Sequence, residues 1–301
     1  EAWNYRSTSG RCGFAQRAGA IDWLRVGQCY DLARLFYPAR SHSSFHAAMA
    51  DTKSSKNPDP KDKGVLYMGI DLGTSRTSVA SSNGVRESVE SFVGYPKDPV
   101  ARKLLKKDVL FGKEARDKRL SLNLHRPLEH GVLKFNQDGA EDGESLRAAQ
   151  DLVQEIVRRA RPRRDELVYA VIGVPAQAKI KNKEAIMRAA RKAVDSVMLV
   201  SEPFSVAYGL DMLDDVLVID IGAGTVDLCR MHGTMPEDSD QITLMTAGDF
   251  VDAKLTDLIR QNHPGAQFSD RMLKDIKERH SSVADVMQPV LVTLPVDGKP
   301  T

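Results

Sequence analysis

Two segments far apart in the chain follow one plan: an apolar strand, an aspartate, one apolar residue, a glycine and then small residues. They are 69-GIDLGTSRTSV-79 and 219-IDIGAGTVDL-228. Glycine allows the sharp reversal that joins two strands. The backbone N–H groups of such a turn can point toward one centre and bind phosphate oxygens. A single Asp-x-Gly is most often a plain turn, whereas two copies after apolar strands predict two related halves that clasp one phosphate ligand.

Strands and helices alternate from residue 65 onward, which predicts an α/β architecture. The predicted strands lie at 65–71, 75–84, 87–95, 108–112, 167–175, 197–201, 215–222, 225–233 (a strand pair with a tight turn), 241–248 and 289–295. The predicted helices lie at 141–161, 180–194, 203–212, 250–262 and 269–280. Segment 167–175 is a continuous apolar run, which is typical of a strand buried on both faces of a sheet. Segment 215–222 is predicted to be a second fully buried strand.

The totals describe a globular protein and exclude several classes. A chain of 301 residues has room for two domains, and 42% hydrophobic with 28% charged residues is typical of soluble proteins. A net charge of +2 argues neither for nor against binding to nucleic acid. The sequence contains no run of 18 apolar residues, so no membrane span is predicted. The three cysteines are widely spaced, which indicates neither a disulfide framework nor a zinc site and favours a reducing, cytoplasmic setting.

The first residues differ in character from the rest. The chain begins with glutamate, and 49-MADTKSSKNPDPKDKG-64 is a polar run rich in lysine and proline, typical of a flexible tail. We therefore expect residues 1–64 to be a disordered or non-native extension, with Met49 as the natural start. A genuine, poorly ordered extension is the alternative.

The two turns resemble the phosphate loops of the superfamily of actins, DnaK-type chaperones and sugar kinases. Residues 274-KDIKERHSSVAD-285 are similar to the actin helix that touches the adenosine, and 247-AGDFVD-252 resembles the Gly-x-Asp segment beside the ribose and phosphates. Within the superfamily, residues 66–301 are most similar to the bacterial actin-like proteins of magnetosome chains. The segments that carry this similarity are 94-GYPKD-98, 127-PLEHGVL-133, 170-AVIGVPA-176 and 199-LVSEPFSVAYGLD-211.

The resemblance implies an actin-like ATPase fold, in which two ribonuclease-H-like domains surround a nucleotide cleft. It implies a first domain at 65–202, with a small subdomain inserted at about 92–135, and a second domain at 203–301. The chain contains no Gly-Gly-Gly stretch, such as the family uses around the adenosine. We therefore expect the second domain to be truncated at its C-terminus, and this chain alone to bind ATP poorly and not to form filaments.

The resemblance also implies the site residues and the cofactors ATP and Mg²⁺. Glu202 is expected to orient the attacking water; a favourable acid at a helix start is its structural alternative. Asp71 and Asp220 are expected to hold magnesium through water, with turn or capping carboxylates as the alternative. Thr225 is expected to hold the water or a phosphate oxygen, although a plain turn threonine is nearly as well supported. The nucleotide-binding residues are then Asp71, Gly73, Thr74, Ser75, Gly222, Ala223, Gly224, Thr225, Gly248, Lys277 and Glu278, and the catalytic ones are Glu202, Asp220 and Thr225.

The implied function is an ATPase that self-associates into cytoplasmic filaments on ATP binding and turns over on hydrolysis. Such filaments would lie along the magnetosome chain and position the organelles with magnetosome-associated proteins. The basic run 102–119 lacks aromatic residues placed for stacking, so we interpret it as a solvated face or a contact between protomers rather than a nucleic-acid site. His125, His130 and His263 show no ligand spacing, which favours surface or packing roles. No direct membrane insertion is expected, and the alternatives are a DnaK-type chaperone, an MreB-like cell-shape filament protein and a small-molecule kinase.

Overall fold

The computed structural model describes residues 64–134, 142–282, 289–296 and 299–300. The predicted extension, including Met49, lies outside these residues apart from Gly64. The described strands are β1 (Val65–Leu72), β2 (Arg76–Ser81), β3 (Arg86–Glu90), β4 (Val93–Pro96), β5 (Leu110–Phe111), β6 (Leu122–His125), β7 (Leu128–Glu129), β8 (Val132–Leu133), β9 (Leu167–Val174), β10 (Ser196–Ser201), β11 (Asp214–Ile221), β12 (Val226–His232), β13 (Gln241–Leu244), β14 (Pro295–Val296) and β15 (Lys299–Pro300). The described α-helices are α1 (Pro99–Leu105), α2 (Gly112–Asp117), α3 (Gly143–Arg159), α4 (Ile180–Ala190), α5 (Glu202–Gly209), α6 (Gly248–Asn262) and α7 (Asp270–His280).

Five strands form the large sheet, in the order β10-β9-β1-β2-β3. β1 pairs in parallel with β9, which pairs in parallel with β10, while β2 and β3 extend the sheet as antiparallel hairpins. Alternate residues of β1 and β9 pack against α3 and α4 in one core, because successive side chains of a strand point to opposite faces. The buried residues of that core include Leu66, Met68, Ile70, Ala170, Ile172, Leu152, Val153 and Ile156. The predicted helix at 141–161 is confirmed, with Asp142 capping its first turn.

A smaller sheet, with strand order β5-β4-β6, lies between β3 and α3 in the sequence, and we refer to it as the insert sheet. The predicted strand at 87–95 is wrong as a single element, because β3 belongs to the large sheet and β4 to the insert sheet. The break falls at Ser91 and Phe92. The Ser91 N–H donates to the Ser75 carbonyl and its hydroxyl to the Gly73 carbonyl, at 3.0 and 2.6 Å. These bonds satisfy the backbone where the chain changes sheets.

Helix α5 lies between the large sheet and a second sheet of three antiparallel strands, β11-β12-β13. Pro203 stands in its first turn, where the missing N–H costs no helical hydrogen bond. One apolar cluster joins the two sheets through this helix. Its members are Val171, Val200, Phe204, Ala207, Val218, Cys229 and Met231.

The second sheet is covered on one face only within the described residues. Val218 and Cys229 point toward α5 and are buried, whereas Leu217, Ile219 and Ile221 are exposed. The prediction that strand 215–222 is buried on both faces is therefore wrong. The apolar run at 216–219 makes both faces of the strand apolar, but an element remote in sequence has to cover each face.

Two further strand predictions are corrected by the structure. Segment 225–233 contains one strand, β12 (Val226–His232), rather than a strand pair. Residues 289–294 are irregular, and only Pro295 of the predicted strand 289–295 is paired, within the short β14–β15 hairpin. The segment contains several β-branched residues, but such a composition does not supply a pairing partner.

Within the described ranges, no helix combines the length and the apolar character needed to cross a membrane.

Candidate phosphate-binding site

The first of the two candidate phosphate loops, residues 71–75, is called the first phosphate loop. It begins at the end of β1 and turns into β2 at Gly73. A side chain at Gly73 would place its Cβ 2.6 Å from the Arg76 carbonyl oxygen, so only glycine fits this turn. The same Cβ position lies 3.5 Å from Asp71 Oδ1, so the predicted magnesium carboxylate lies beside the loop. Thr74 is buried, and its hydroxyl accepts from the Gly131 N–H at 2.8 Å.

Glu202 lies beside Asp71 because of a glycine in the neighbouring strand. Asp71 is paired with Gly173 of β9, and the Cγ of Glu202 lies 3.2 Å from the position that a Gly173 Cβ would occupy. Paired residues of parallel strands point to the same face. Asp71 and Glu202 therefore share one face at the carboxyl ends of parallel strands, which is where α/β sheets bind ligands.

The second phosphate loop (residues 220–225) begins at the end of β11, and backbone hydrogen bonds join its ends and connect it to α6. The Gly222 N–H donates to the Thr225 carbonyl at 2.8 Å, and the Asp249 N–H donates to the Ala223 carbonyl at 2.7 Å. Gly248 lies against this loop, since its Cβ position is 3.4 Å from Ala223 Cα. Thr225 is buried.

Asp220 is buried and is paired across the second sheet with Asp227. Asp227 Oδ1 accepts from the Ala176 N–H at 2.8 Å and from the Thr243 hydroxyl at 2.5 Å. Sequence reasoning missed Asp227, although this residue lies within segment 219–228. The signal was available, because antiparallel pairing across a short turn brings the two aspartates to the same face.

The two loops meet where a hairpin from the first half of the chain reaches them. A Cβ on Gly224 would lie 2.6 Å from Thr74 Oγ1 and 2.8 Å from His130 Cα. His130 Nδ1 lies 3.0 Å from the Gly224 carbonyl oxygen, and Gly131, with φ +69°, donates to Thr74. The interpretation of His130 as a packing residue agrees with this contact, but its place between the loops was not predicted.

Arg126 connects the loops from the other side. Its Nε donates to the Thr74 carbonyl at 3.0 Å, and its Nη2 donates to both Asp249 carboxylate oxygens at 3.0 and 3.2 Å. Asp249 stands in the first turn of α6. Sequence reasoning missed Arg126, because no local pattern pairs it with Asp249.

The structure treats the predicted pair Lys277 and Glu278 differently. Lys277 is 15% exposed, donates to the Gly248 carbonyl at 3.0 Å and forms an ion pair with Asp252 at 2.7 Å. Glu278 is 58% exposed, and its Oε1 lies 3.7 Å from Lys274 Nζ. The structure therefore brings Lys277 to the second loop and leaves Glu278 at the surface.

The residues present fit a phosphate ligand with magnesium. Glycine at positions 73 and 224 keeps a side chain away from places where a Cβ would crowd the backbone. The described residues hold no group of three or more His, Cys, Asp or Glu side chains that could by themselves bind a metal ion. Two carboxylates, Asp71 and Asp220, suit magnesium, which keeps several waters and takes other ligands from substrate phosphates.

The chain is similar in sequence to known proteins. Residues 66–299 match the MreB/Mbl protein family. The actin-like protein MamK of Paramagnetospirillum magneticum strain AMB-1 is 40% identical over 238 residues, which cover 79% of this chain and 67% of that protein. This chain spans about two thirds of the length of the curated MamK relatives that it matches.

Solved structures share the fold. A MamK double helical filament has a TM-score of 0.74 at 38% identity, over 79% of this chain and 72% of that one. A non-polymerising MamK mutant bound to AMPPNP has a TM-score of 0.57 at 38% identity, over 80% of this chain and 72% of that one. The fold predicted from the sequence is therefore confirmed.

Proposed function

The chain belongs to the MreB/Mbl family of actin-like proteins, and on that premise we propose that the protein, as its gene encodes it, binds ATP between its two phosphate loops and hydrolyses it. One observation carries the proposal: the loops, which lie far apart in sequence, meet at Thr74 and Gly224. Two glycine turns that face each other present N–H groups and hydroxyls to one ligand. Supporting evidence comes from the relative solved with AMPPNP, an ATP analogue.

Each loop has its own part in binding. Gly73, Thr74 and Ser75 cradle the phosphates from the first half of the molecule, and Gly222, Ala223, Gly224 and Thr225 from the second. Gly248, Lys277 and Glu278 hold the nucleoside. Asp71 and Asp220 hold magnesium through coordinated water. Magnesium, when bound, neutralises the charge of the phosphates.

Hydrolysis requires a positioned water molecule more than a covalent partner. We assign that role to Glu202, whose carboxylate shares a face with Asp71. The water oxygen forms a bond to the γ-phosphorus while the bond from that phosphorus to the bridging oxygen breaks. ADP leaves with the bridging oxygen, inorganic phosphate carries the new one, and Glu202 accepts the proton of the water.

ATP binding and hydrolysis would control assembly into filaments. A head-to-tail contact between identical subunits propagates into a filament when its rotation does not close a ring. The MamK filament structure supports this step of the proposal. From the resemblance to magnetosome actins, we propose cytoplasmic filaments that position magnetosomes together with magnetosome-associated proteins.

The test uses the protein as its gene encodes it and measures filament assembly and ATP hydrolysis separately. Glu202→Ala should lower the rate of phosphate release by about 10²-fold or more, while sedimentation with ATP and magnesium still pellets filaments. Glu144→Ala is the matched control, since Glu144 also stands in the first turn of a helix but is exposed. Normal phosphate release from Glu202→Ala would remove Glu202 from catalysis, and a wild-type protein that binds no ATP would overturn the proposed function.

A further inference from the structure

Lys274 reaches the first phosphate loop from the other end of the described chain. Its Nζ lies 3.0 Å from Ser75 Oγ. The side chain is 44% exposed, so the ammonium group stands at the edge of the loop and is open to a ligand. This contact links α7, which follows the second sheet in sequence, to a loop of the large sheet.

Lys274 belongs to helix α7, which is attached to helix α6. Leu273 is buried, and Ser269 caps the first turn by accepting from the Met272 N–H. Lys277 fastens the helix to α6 through Asp252 and the Gly248 carbonyl. Residues three apart lie on one face of a helix, so Lys274 is carried over the first loop when Lys277 is fixed beside the second.

The two lysines differ in how their charge is compensated. Lys277 pairs closely with Asp252, at 2.7 Å. Lys274 touches a neutral hydroxyl at 3.0 Å and lies 3.7 Å from a surface carboxylate, Glu278. Exposed ion pairs contribute little, so much of the positive charge of Lys274 remains available to an anion at the loop.

We propose that Lys274 binds a phosphate oxygen of the nucleotide, exchanging its hydrogen bond to Ser75 for a charge-assisted one. This inference rests on the proposed function and adds a substrate-contacting residue from α7. A hydrogen bond between an ammonium group and a phosphate is stronger than one to a hydroxyl. The nucleotide would therefore tighten the link between α7 and the first loop, and the cleft would close on phosphate rather than on the base.

The experiment compares ligands with and without phosphates. Affinities for ATP, ADP and adenosine are measured by competition with a fluorescent ATP analogue, on the protein as its gene encodes it. Lys274→Ala should weaken ATP and ADP about tenfold or more and leave the adenosine affinity unchanged, and Lys274→Arg should restore most of the loss. Arg279→Ala is the matched control, because it removes one positive charge from an exposed position of the same helix.

The outcomes separate this inference from the function on which it rests. If wild-type protein binds ATP and Lys274→Ala binds it equally well, the phosphate contact is wrong while the proposed function stands. An equal loss for adenosine would also overturn it, since the effect would then lie in the helix and not in the phosphates. If the wild-type protein binds no ATP, the proposed function itself fails.

Discussion

Leu72 and Ile221 hold the same place in two loops built on one sequence plan, but they are 1% and 69% exposed. Ile70 and Ile219, one position before each aspartate, are 0% and 55% exposed. The large sheet has α3 and α4 on one face and α5 on the other. The described part of the second sheet has α5 alone. The plan thus determines the turn, whereas elements remote in sequence determine how well its strand is covered.

The second loop, which follows a strand with one exposed face, is held by contacts from other parts of the chain. Gly248 and Asp249 donate to its carbonyls, and His130 reaches it from the first half of the molecule. The first loop also receives hydrogen bonds, from Ser91, Gly131 and Arg126, but the strand before it is buried in the large sheet. We therefore expect core substitutions to affect the first half most, and substitutions between the loops to affect the second.

The largest expected effect separates the two equivalent isoleucines. Ile70→Ala should lower the free energy of unfolding by about 2–5 kcal/mol, since it leaves a cavity in a closed core. Ile219→Ala should lower the free energy of unfolding by less than about 1 kcal/mol, because this residue is already 55% exposed. Chemical denaturation of the 301-residue chain, followed by circular dichroism, measures both. Equal costs would show that the outer face of the second sheet is covered in solution.

The next effect is at the contact between the loops. Gly224→Ala places a methyl group against Thr74 and the His130 backbone, and such crowding costs about 1–3 kcal/mol. Gly143→Ala is the control, because its Cβ meets no atom within 4 Å. Thermal unfolding of the two variants compares them. A neutral Gly224→Ala would mean that the loops stand apart in solution.

A smaller effect is expected on the rate at which Cys229 is alkylated, and it distinguishes the buried face of the second sheet from the exposed one. Burial, with a smaller contribution from Asp240, raises the pKa of this thiol to about 11, so native Cys229 should react slowly with alkylating reagents near pH 8. In a Cys12→Ser, Cys29→Ser background, Val218→Ala should speed labelling about fivefold through local opening. Ile219→Ala, the adjacent residue on the outer face, should leave the rate unchanged. Equal acceleration by both would contradict the one-sided covering.

The smallest effect concerns the helix that covers the large sheet. Burial raises the pKa of Glu155 in α3, but hydrogen bonds from Arg158 and Arg159 outweigh it and hold the pKa below its ordinary value. A carboxyl group whose pKa is lower in the folded state than in the unfolded state stabilises the fold at pH values above its unfolded-state pKa. This stabilisation is lost as the pH falls through its folded-state pKa. Glu155→Gln should therefore destabilise by about 1 kcal/mol or less at pH 7, and the difference should disappear in acid.

The control for that measurement is Glu184→Gln on α4, where the carboxylate is exposed and 4.0 Å from Arg188. We expect no measurable change at either pH. A Glu155→Gln difference that persists in acid would assign the effect to packing rather than to charge.

The sequence predicts the fold wherever the signal is local. Helix α3 and the two parallel strands β1 and β9 follow from periodicity and apolar runs, and both turns follow from glycine and small residues. The covering of β11 was wrongly predicted, since an apolar strand looks the same whether or not a second layer lies on it. The β14–β15 hairpin was missed for a similar reason, because pairing partners are not encoded in β-branched composition.

The candidate site divides in the same way. The loop residues were found from their own segments, and their roles stay predictions. The sequence does not predict the loop contacts of Arg126, His130 and Lys274, because each of them contacts a loop that lies far away in sequence. Asp227 alone carried a local signal, its pairing opposite Asp220 across a short turn.

Helix α5 and its apolar cluster have a consequence for how the protein is made. Val171 and Val200, in strands of the large sheet, form one side of the cluster, and Val218, Cys229 and Met231 form the other. The ribosome releases the large-sheet residues first, and chains generally fold from the N-terminus as they emerge. The second sheet therefore acquires its core on a surface that is already in place, so the earlier half serves as a template for the later one.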